Sequence, residues 1–454
     1  MLKPIRESVR FFMTATAAAI VLRLMFIFWF PSITTDSFIY GDIAKNWLQH
    51  GIYGVASAGE VVPTYVRLPG YPAFLAVIFA IFGMEHYRAV LIAQMFVDVG
   101  TCFLICNLTR RVIGPKASRA AFLLAALCPF TANYVATALT ETLEIFFTAL
   151  SLNFAVAALE SNGARKTWIW AGCGAATGAA ILLRPDGGIL LAAIELFLFW
   201  EMIHRLRRQM PAVHVLRAAF VVGIISLAPL IPWTLRNLHT LHSFQPLAPR
   251  YANEEGEFVP AGFNRWVRTW IADYVSVEEI YWPVPGEPID AGDLPERAFD
   301  SAEQRAETIG LIGEYNAALR ISPELDTKFA MLAAKRVRSH PFRYYLWLPA
   351  LRIADMWLRP RTGMLPSDTR WWELNDDPKW SALAVALGLI GVFYVGAGLA
   401  GIARRKAFQL AGLLVTFVLV RSLFLGTLEN PEPRYTLECF PVVIVFASAI
   451  FQRP

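Results

Sequence analysis

The sequence predicts an all-α polytopic membrane protein with about ten membrane-spanning helices, interfacial helices in its first external loop and a mostly helical external segment. Three observations carry the prediction. Of 454 residues, 56% are hydrophobic and only 17% are charged, with a mean hydropathy of +0.45, whereas soluble chains of this length carry more charge. The apolar residues fall in runs close to the ~20 residues a helix needs to cross ~30 Å of hydrocarbon. Lys and Arg cluster in the short loops between these runs, and Asp and Glu gather in one long loop. The net charge of +5 is therefore a topology signal and not a nucleic-acid footprint, and no nucleic-acid partner is expected.

Lys3, Arg6 and Arg10 precede the first apolar run, 11–30, and place the N-terminus in the cytoplasm. No small-residue cleavage site follows, so the run reads as a retained span. Arg23 interrupts it, either snorkelling or facing a polar interior. The loop after Pro31 is external. Within it, 37–50 forms an amphipathic helix ending near Gly51, and 72–82 is apolar but too short to span, so it lies in or dips into the interface. Spans follow at 87–108, 120–134, 143–159, 168–183, 189–203 and 218–233. Basic clusters at Arg110-Arg111, Arg165-Lys166 and Arg205 to Arg217 mark the cytoplasmic turns.

Hydropathy drops from about 238 to 380. The second half of this stretch, 298–339, reads as helical, with a break at Ser322-Pro323. The segment 342–358 is apolar but carries Arg343, Arg352 and Asp355, and reads as an interfacial helix. Two spans, 382–402 and 408–425, flank the cytoplasmic Arg404-Arg405-Lys406, and a last span runs from 439 to 451. Three divisions result: a transmembrane module, 1–237, whose first external loop is 31–86; an external segment, 238–380; and C-terminal spans, 381–454. The five cysteines lie in or beside apolar runs, so no disulfide framework is expected.

With this topology, Asp36, Asp42, Arg67, Glu141, Arg184, Asp186, Arg236, Arg434 and Tyr435 all face the external side. The asymmetry suggests one site that handles a molecule part lipid and part polar. A carboxylate there can act as a general base towards a hydroxyl or amine. Arginines at headgroup level can bind phosphate. Tyr40, Tyr65 and Tyr71 can stack on sugar faces, although tyrosines also form the ordinary interfacial belt. The seven histidines make no metal-ligand spacing, and no glycine-rich nucleotide loop is present.

Four stretches then carry a resemblance. They are Asp36-x3-Tyr40-x-Asp42-Ile43-Ala44, Arg67-Leu68-Pro69-Gly70-Tyr71-Pro72, Pro232-Trp233-Thr234-Leu235-Arg236-Asn237, and Pro433-Arg434-Tyr435. In their order and expected sides the chain resembles the GT-C superfamily of polyprenyl-phosphate-sugar glycosyltransferases, in its protein O-mannosyltransferase and aminoarabinose transferase branch. The resemblance implies a GT-C-like bundle in a bacterial inner membrane, active on the periplasmic or extracellular side. It implies Asp36 as the catalytic base of an inverting transfer and Arg67 as the donor-phosphate cation, with Arg434 as a second such contact. Tyr40, Asp42, Tyr65, Tyr71, Glu141, Arg184, Arg236 and Tyr435 are candidate substrate contacts. The implied partners are a polyprenyl-phosphate sugar, a lipid, glycan or protein acceptor, and membrane lipids. No cofactor or obligatory metal is expected, although Asp36, Asp42 and Glu141 have the donor chemistry for a divalent cation.

Each residue also has a plainer reading. Asp36 can cap the helix after it. Asp42 lies on another face of that helix and suits a supporting role. Glu141 and Arg184 can pair with each other. Arg236 and Arg434 can be interfacial anchors, and the pairs Glu254-Glu255 and Glu278-Glu279 solvated loop surface. A transporter or flippase of lipid-linked sugars is the rival function, and a non-catalytic binder is a third. A transporter would place ionisable residues mid-span, where this chain has Arg23, Asp98, Glu144 and Glu195 in no evident register.

Overall fold

The computed structural model describes residues 2–163, 165–373, 378–403 and 410–451. The expected cytoplasmic cluster Arg404-Arg405-Lys406 lies outside the described residues, as do the side chains of Lys3 and Arg6. The chain forms two compact units. One comprises Met1–Glu255, Phe393–Val420 and Leu437–Pro454, and the other Gly256–Val392 and Arg421–Thr436. The second unit thus starts later in the sequence than the drop in hydropathy, and it takes in the stretch just before the last apolar run.

The first unit begins with α1 (Leu2–Trp29), α2 (Thr35–His50), a hairpin of β1 (Gly54–Ser57) and β2 (Glu60–Pro63), α3 (Gly70–Phe82) and α4 (Tyr87–Val112). The hairpin pairs antiparallel, Val55 opposite Val62. It carries no periodic signal and was not anticipated. Then come α5 (Pro115–Ala126), α6 (Pro129–Val135), α7 (Glu141–Glu160), α8 (Arg165–Leu183), α9 (Gly188–Arg207), α10 (Val213–Leu227) and α11 (Leu230–Leu241). Proline divides two of the expected spans. Pro129 opens α6 and splits the 120–134 run, and Pro229 separates α10 from α11, because proline fits a first turn but not a helix interior.

The second unit holds α12 (Ala261–Val267), the single turn α13 (Tyr274–Ser276), α14 (Ala302–Ala318), α15 (Pro323–Ser339) and α16 (Leu348–Leu358). Helices α17 (Pro378–Ala403) and α18 (Ala411–Gly426) belong partly to each unit, and α19 (Phe440–Ser448) returns to the first. Among the described residues six segments are long and apolar enough to cross a membrane: Ser8–Trp29, Tyr87–Val112, Glu141–Glu160, Val213–Leu241, Pro378–Ala403 and Pro433–Phe451. The other four expected spans do not reach that combination of length and apolarity.

In the first unit every residue of α19 is buried, against α4, α5 and α7. The last apolar run is therefore the centre of the bundle and not its lipid-facing rim. Glycines bring helices together. A Cβ on Gly401 would sit 1.9 Å from the Phe446 carbonyl of α19, and one on Gly178 of α8 would sit 2.9 Å from the Ser226 carbonyl of α10. Ser226 also donates to the Gly174 carbonyl at 3.1 Å. Small residues and hydroxyl bridges are how helices associate where no hydrophobic effect drives them.

Arg23 does not snorkel. It is wholly buried, and its Nε donates to Asp98 Oδ2 at 2.7 Å. Its other nitrogens reach the carbonyls of Ala19, Ala125 and Ala126. Two of the four mid-span ionisable residues thus neutralise each other.

The second unit is built on an aromatic core of Phe263, Trp266, Trp270, Tyr315 and Phe329. Asp326 of α15 accepts from the backbone N–H groups of Gly262 and Phe263 at 2.9 and 2.8 Å, capping α12 from a distance. Arg336 is buried and donates to Thr269, Gln304 and the carbonyls of Arg297 and Ala298. Arg352 is buried on the inner face of α16 with Leu348 and Met356. Residues read as solvated surface are in fact tied down: Glu279 takes a forked pair of bonds from Arg370 at 2.8 and 2.6 Å, and Glu278 accepts from Thr369.

Removing one member of a buried ion pair leaves the other uncompensated, at a cost of about 3–5 kcal/mol. Asp98→Ala should therefore lower the thermal stability of the protein in detergent sharply. The double change Arg23→Met with Asp98→Leu should recover most of that loss, as read by thermal unfolding.

Candidate functional site

The helix α2 does not use Asp36 as its cap. Thr34 is the N-cap: its hydroxyl accepts from Ser37 N, while Ser37 Oγ accepts from Thr34 N at 3.1 Å in a reciprocal capping box. Asp36 sits in the first turn, where the partial positive charge of a helix start favours a carboxylate. Freed from capping, its Oδ1 accepts from Arg67 Nη2 at 2.7 Å. The Asp36 side chain is 42% exposed and that of Arg67 17%. The carboxylate is thus reachable from outside, and its cation is largely enclosed.

The loop bearing Arg67 is held on several sides. Tyr53 donates through its hydroxyl to the Arg67 carbonyl at 2.9 Å. Arg236, on α11, donates to the carbonyls of Thr64 at 2.7 Å and Tyr53 at 2.5 Å, with its guanidinium over the Tyr53 and Trp233 rings. Tyr53, Tyr65, Leu68, Ile43 and Trp233 form one buried apolar cluster beneath. Thr64 donates to Glu254, which is therefore a loop tie and not free surface. Asp42 accepts from Ala56 N at 2.6 Å and lies 3.5 Å from Lys45, so it fastens the hairpin to α2. Arg236, Tyr65 and Asp42 shape the loop from its supporting side. Gly70, just past Arg67, lies so close to the end of α8 that a Cβ would come within 2.6 Å of the Leu182 carbonyl.

Tyr40 and Tyr71 connect this pair to a second group of charges. Arg67 stands over the Tyr40 ring at 5.6 Å, and the Tyr40 and Tyr71 rings meet edge to face at 5.0 Å. Tyr71 donates to Gln94 at 2.7 Å, and Gln94 donates on to the Thr137 carbonyl at 2.8 Å. Burial pushes the Tyr40 hydroxyl well above its ordinary range, with Arg67 and Arg184 opposing the shift and Asp36 and Glu141 adding to it. One phenol therefore feels both groups.

The second group lies where α8 turns into α9. Arg184 reaches Asp186 at 3.2 Å, Glu144 at 3.5 Å and Glu141 at 3.8 Å. The pairing of Glu141 with Arg184 is thus present, as one contact of a larger cluster. Glu144, Asp186 and Glu438 each bring a carboxylate oxygen within 4.8 Å of the others. Among the described residues these three are the carboxylates drawn together tightly enough to hold a divalent cation, rather than Asp36, Asp42 and Glu141. Arg184 already supplies positive charge there. Glu438 was missed from the sequence. The signal was an acid at the mouth of the last apolar run, just after Pro433-Arg434-Tyr435. Glu144 was named from the sequence only as one of the mid-span ionisable residues, and its place beside Glu141, one helical turn on, is what the structure adds.

Arg434 and Tyr435 belong to the second unit. There Arg434 pairs with Glu432 at 2.6 Å, its guanidinium over the Tyr435 ring at 5.4 Å, and Tyr435 donates to the same carboxylate.

Comparison with known proteins agrees with the superfamily resemblance. Residues 63–233 match the family model described as dolichyl-phosphate-mannose-protein mannosyltransferase. That match contains Arg67, Tyr71, Glu141, Arg184 and Asp186. Among solved structures, the fold is shared with the archaeal oligosaccharyltransferase AglB from Archaeoglobus fulgidus in complex with an inhibitory peptide and a dolichol-phosphate. The identity is 14% and the TM-score 0.51, over 97% of this chain and 50% of that one. An Archaeoglobus fulgidus oligosaccharyltransferase tethered with an acceptor peptide gives 13% identity and a TM-score of 0.53, over 97% and 49%. ArnT from Cupriavidus metallidurans bound to undecaprenyl phosphate aligns over 96% of this chain and 77% of its own, at 13% identity and a TM-score of 0.43. This chain spans about half the length of the archaeal enzyme. No curated protein matches the sequence.

Arg236→Gln removes the charged donor that holds two loop carbonyls. Bonds to a charged group contribute about 1.5–3 kcal/mol each. Backbone amides between 53 and 67 should therefore exchange with deuterium about tenfold or more faster in this variant, while those of α4 and α7 keep wild-type protection.

Proposed function

We propose that the protein is a membrane glycosyltransferase that moves a sugar from a polyprenyl-phosphate donor to an acceptor hydroxyl or amine, with inversion. The Asp36–Arg67 pair is the observation that carries the reading. It sets a reachable carboxylate 2.7 Å from a fixed cation, beside two tyrosines packed edge to face, and the cation lies within the stretch that matches the dolichyl-phosphate-mannose-protein mannosyltransferase model. The dolichol-phosphate on the archaeal structural neighbour supports the same class of donor.

In this reading the donor phosphate takes the Arg67 guanidinium, which suits a phosphate better than a lone carboxylate because it offers a planar fork of donors. Asp36 is released from its pair as the phosphate arrives. It then accepts the proton of the acceptor O–H or N–H while the acceptor attacks the anomeric carbon from the face opposite the phosphate. The C–O bond to phosphate breaks, and its electron pair leaves with a polyprenyl phosphate whose negative charge Arg67 balances. The work is positioning and base assistance. Tyr40 and Tyr71 offer faces for a sugar ring. Glu141 and Arg184 lie one tyrosine away and are placed to orient donor or acceptor. We assign the site to the external face of the membrane on the charge bias of the loops, and the membrane to a bacterial inner one on the family resemblance. The pairing of Arg23 with Asp98 weighs against a transporter, since it removes two ionisable groups from any transport path.

Asp36→Asn should cut sugar transfer by about 10²- to 10⁴-fold while the protein still retains polyprenyl phosphate. Arg67→Gln should instead weaken donor retention and raise the donor concentration needed for half-maximal rate. Transfer of radiolabelled sugar from a polyprenyl-phosphate donor into membranes, together with lipid retention, checks both. Undiminished turnover in Asp36→Asn would remove the base from the mechanism.

A further inference from the structure

At the end of α8 opposite Arg184, a cavity opens among the α7–α8 turn, the end of α9 and the start of α10. Its volume is about 550 Å³, and its lining includes Lys166, Trp170, Glu201, Arg205, His214 and Arg217. Lys166 stands in the first turn of α8 and Arg184 directly follows its last residue, eighteen positions on, which is about 27 Å along the axis. That is close to the hydrocarbon thickness of a bilayer. The cavity therefore stands at the membrane face where the basic loops lie, one bilayer away from the Asp36–Arg67 pair.

The charges around it do not balance. Arg205 pairs with Glu201 at 2.7 Å. Neither Lys166 nor Arg217 has a carboxylate within salt-bridge reach among the described residues. Trp170 is 2% exposed, and its indole N–H has no hydrogen-bond partner among the described residues. A buried donor without an acceptor is costly, and the residue that carries it lines a cavity with surplus positive charge. The surroundings show what kind of acceptor fits. Trp168 and Trp200 are largely exposed beside the cavity, and Leu216, Phe220 and Ile224 expose an apolar stripe down α10. Tryptophans at this depth mark the headgroup level of a bilayer, and the stripe below suits acyl chains.

We propose that this cavity binds the phosphate headgroup of an anionic bilayer phospholipid, held by Lys166, Arg217 and the Trp170 N–H, with its acyl chains along α10. The site is separate from the transfer reaction and does not depend on it.

The test uses the full chain reconstituted in phosphatidylcholine nanodiscs carrying a minor fraction of phosphatidylglycerol, with retained lipid counted by native mass spectrometry. The protein should retain phosphatidylglycerol over phosphatidylcholine. Lys166→Gln with Arg217→Gln should lower that preference by about 30-fold, taking roughly fivefold per cation. Trp170→Phe, which keeps the ring and removes the donor, should lower it several-fold. Arg208→Gln, in the same basic loop but outside the cavity lining, should leave it unchanged. Wild-type melting temperatures in these variants would show that the loss is not unfolding. Equal retention of the two lipids, or an undiminished preference in the double variant, would overturn the site. Polyprenyl phosphate retained in place of phosphatidylglycerol, or inorganic phosphate displacing the lipid at equal concentration, would overturn the assignment to a bilayer phospholipid.

Discussion

A charge withdrawn from water has to bring its counter-charge with it, and this rule organises the first unit. Isolated ions are expensive in an apolar interior. Arg23 is affordable in α1 because Asp98 and three carbonyls meet it. Arg184 is held at the α8–α9 corner because Glu141, Glu144 and Asp186 surround it. Arg67 is enclosed because Asp36 reaches over from α2.

These three arrangements differ in what they leave accessible. The Arg23 pair is sealed and serves the bundle. The Arg184 cluster is mostly buried and carries more carboxylate than one guanidinium can balance. In the Asp36–Arg67 pair the acid remains partly open. It is the one of the three in which a phosphate can compete for the cation without unfolding anything. The proposed chemistry therefore falls on it, with the base and the phosphate cation as the two tasks assigned to its members.

Much of the scaffold was legible in the sequence because apolar runs and basic loops are local signals. The ends of α2, α4, α7 and α15 follow from Gly51, Arg110-Arg111, Glu141 and the Ser322-Pro323 cap. Less was legible where one residue changes a long pattern. Pro129 and Pro229 divide runs that hydropathy alone reads as continuous. The site was half legible. Asp36 and Arg67 stood out as charges flanked by aromatics, and their contact over thirty-one residues joins two stretches singled out separately. The grouping of Glu438 with Glu144 and Asp186 could not be read, because the three come from sequence positions far apart. Nor could the capping of α2 by Thr34 and Ser37, which settles what Asp36 does not do, or the attachment of Asp42 to the hairpin.

Gly70 gives the arrangement a mechanical side. Its missing side chain lets the start of α3 rest on the main chain of Leu182. Arg67 stands three positions before that contact and Arg184 two positions after it. The two cations thus flank one main-chain contact that leaves no room for even a methyl group. A side chain at position 70 would push α3 off the end of α8 and so change the spacing between the two guanidinium groups.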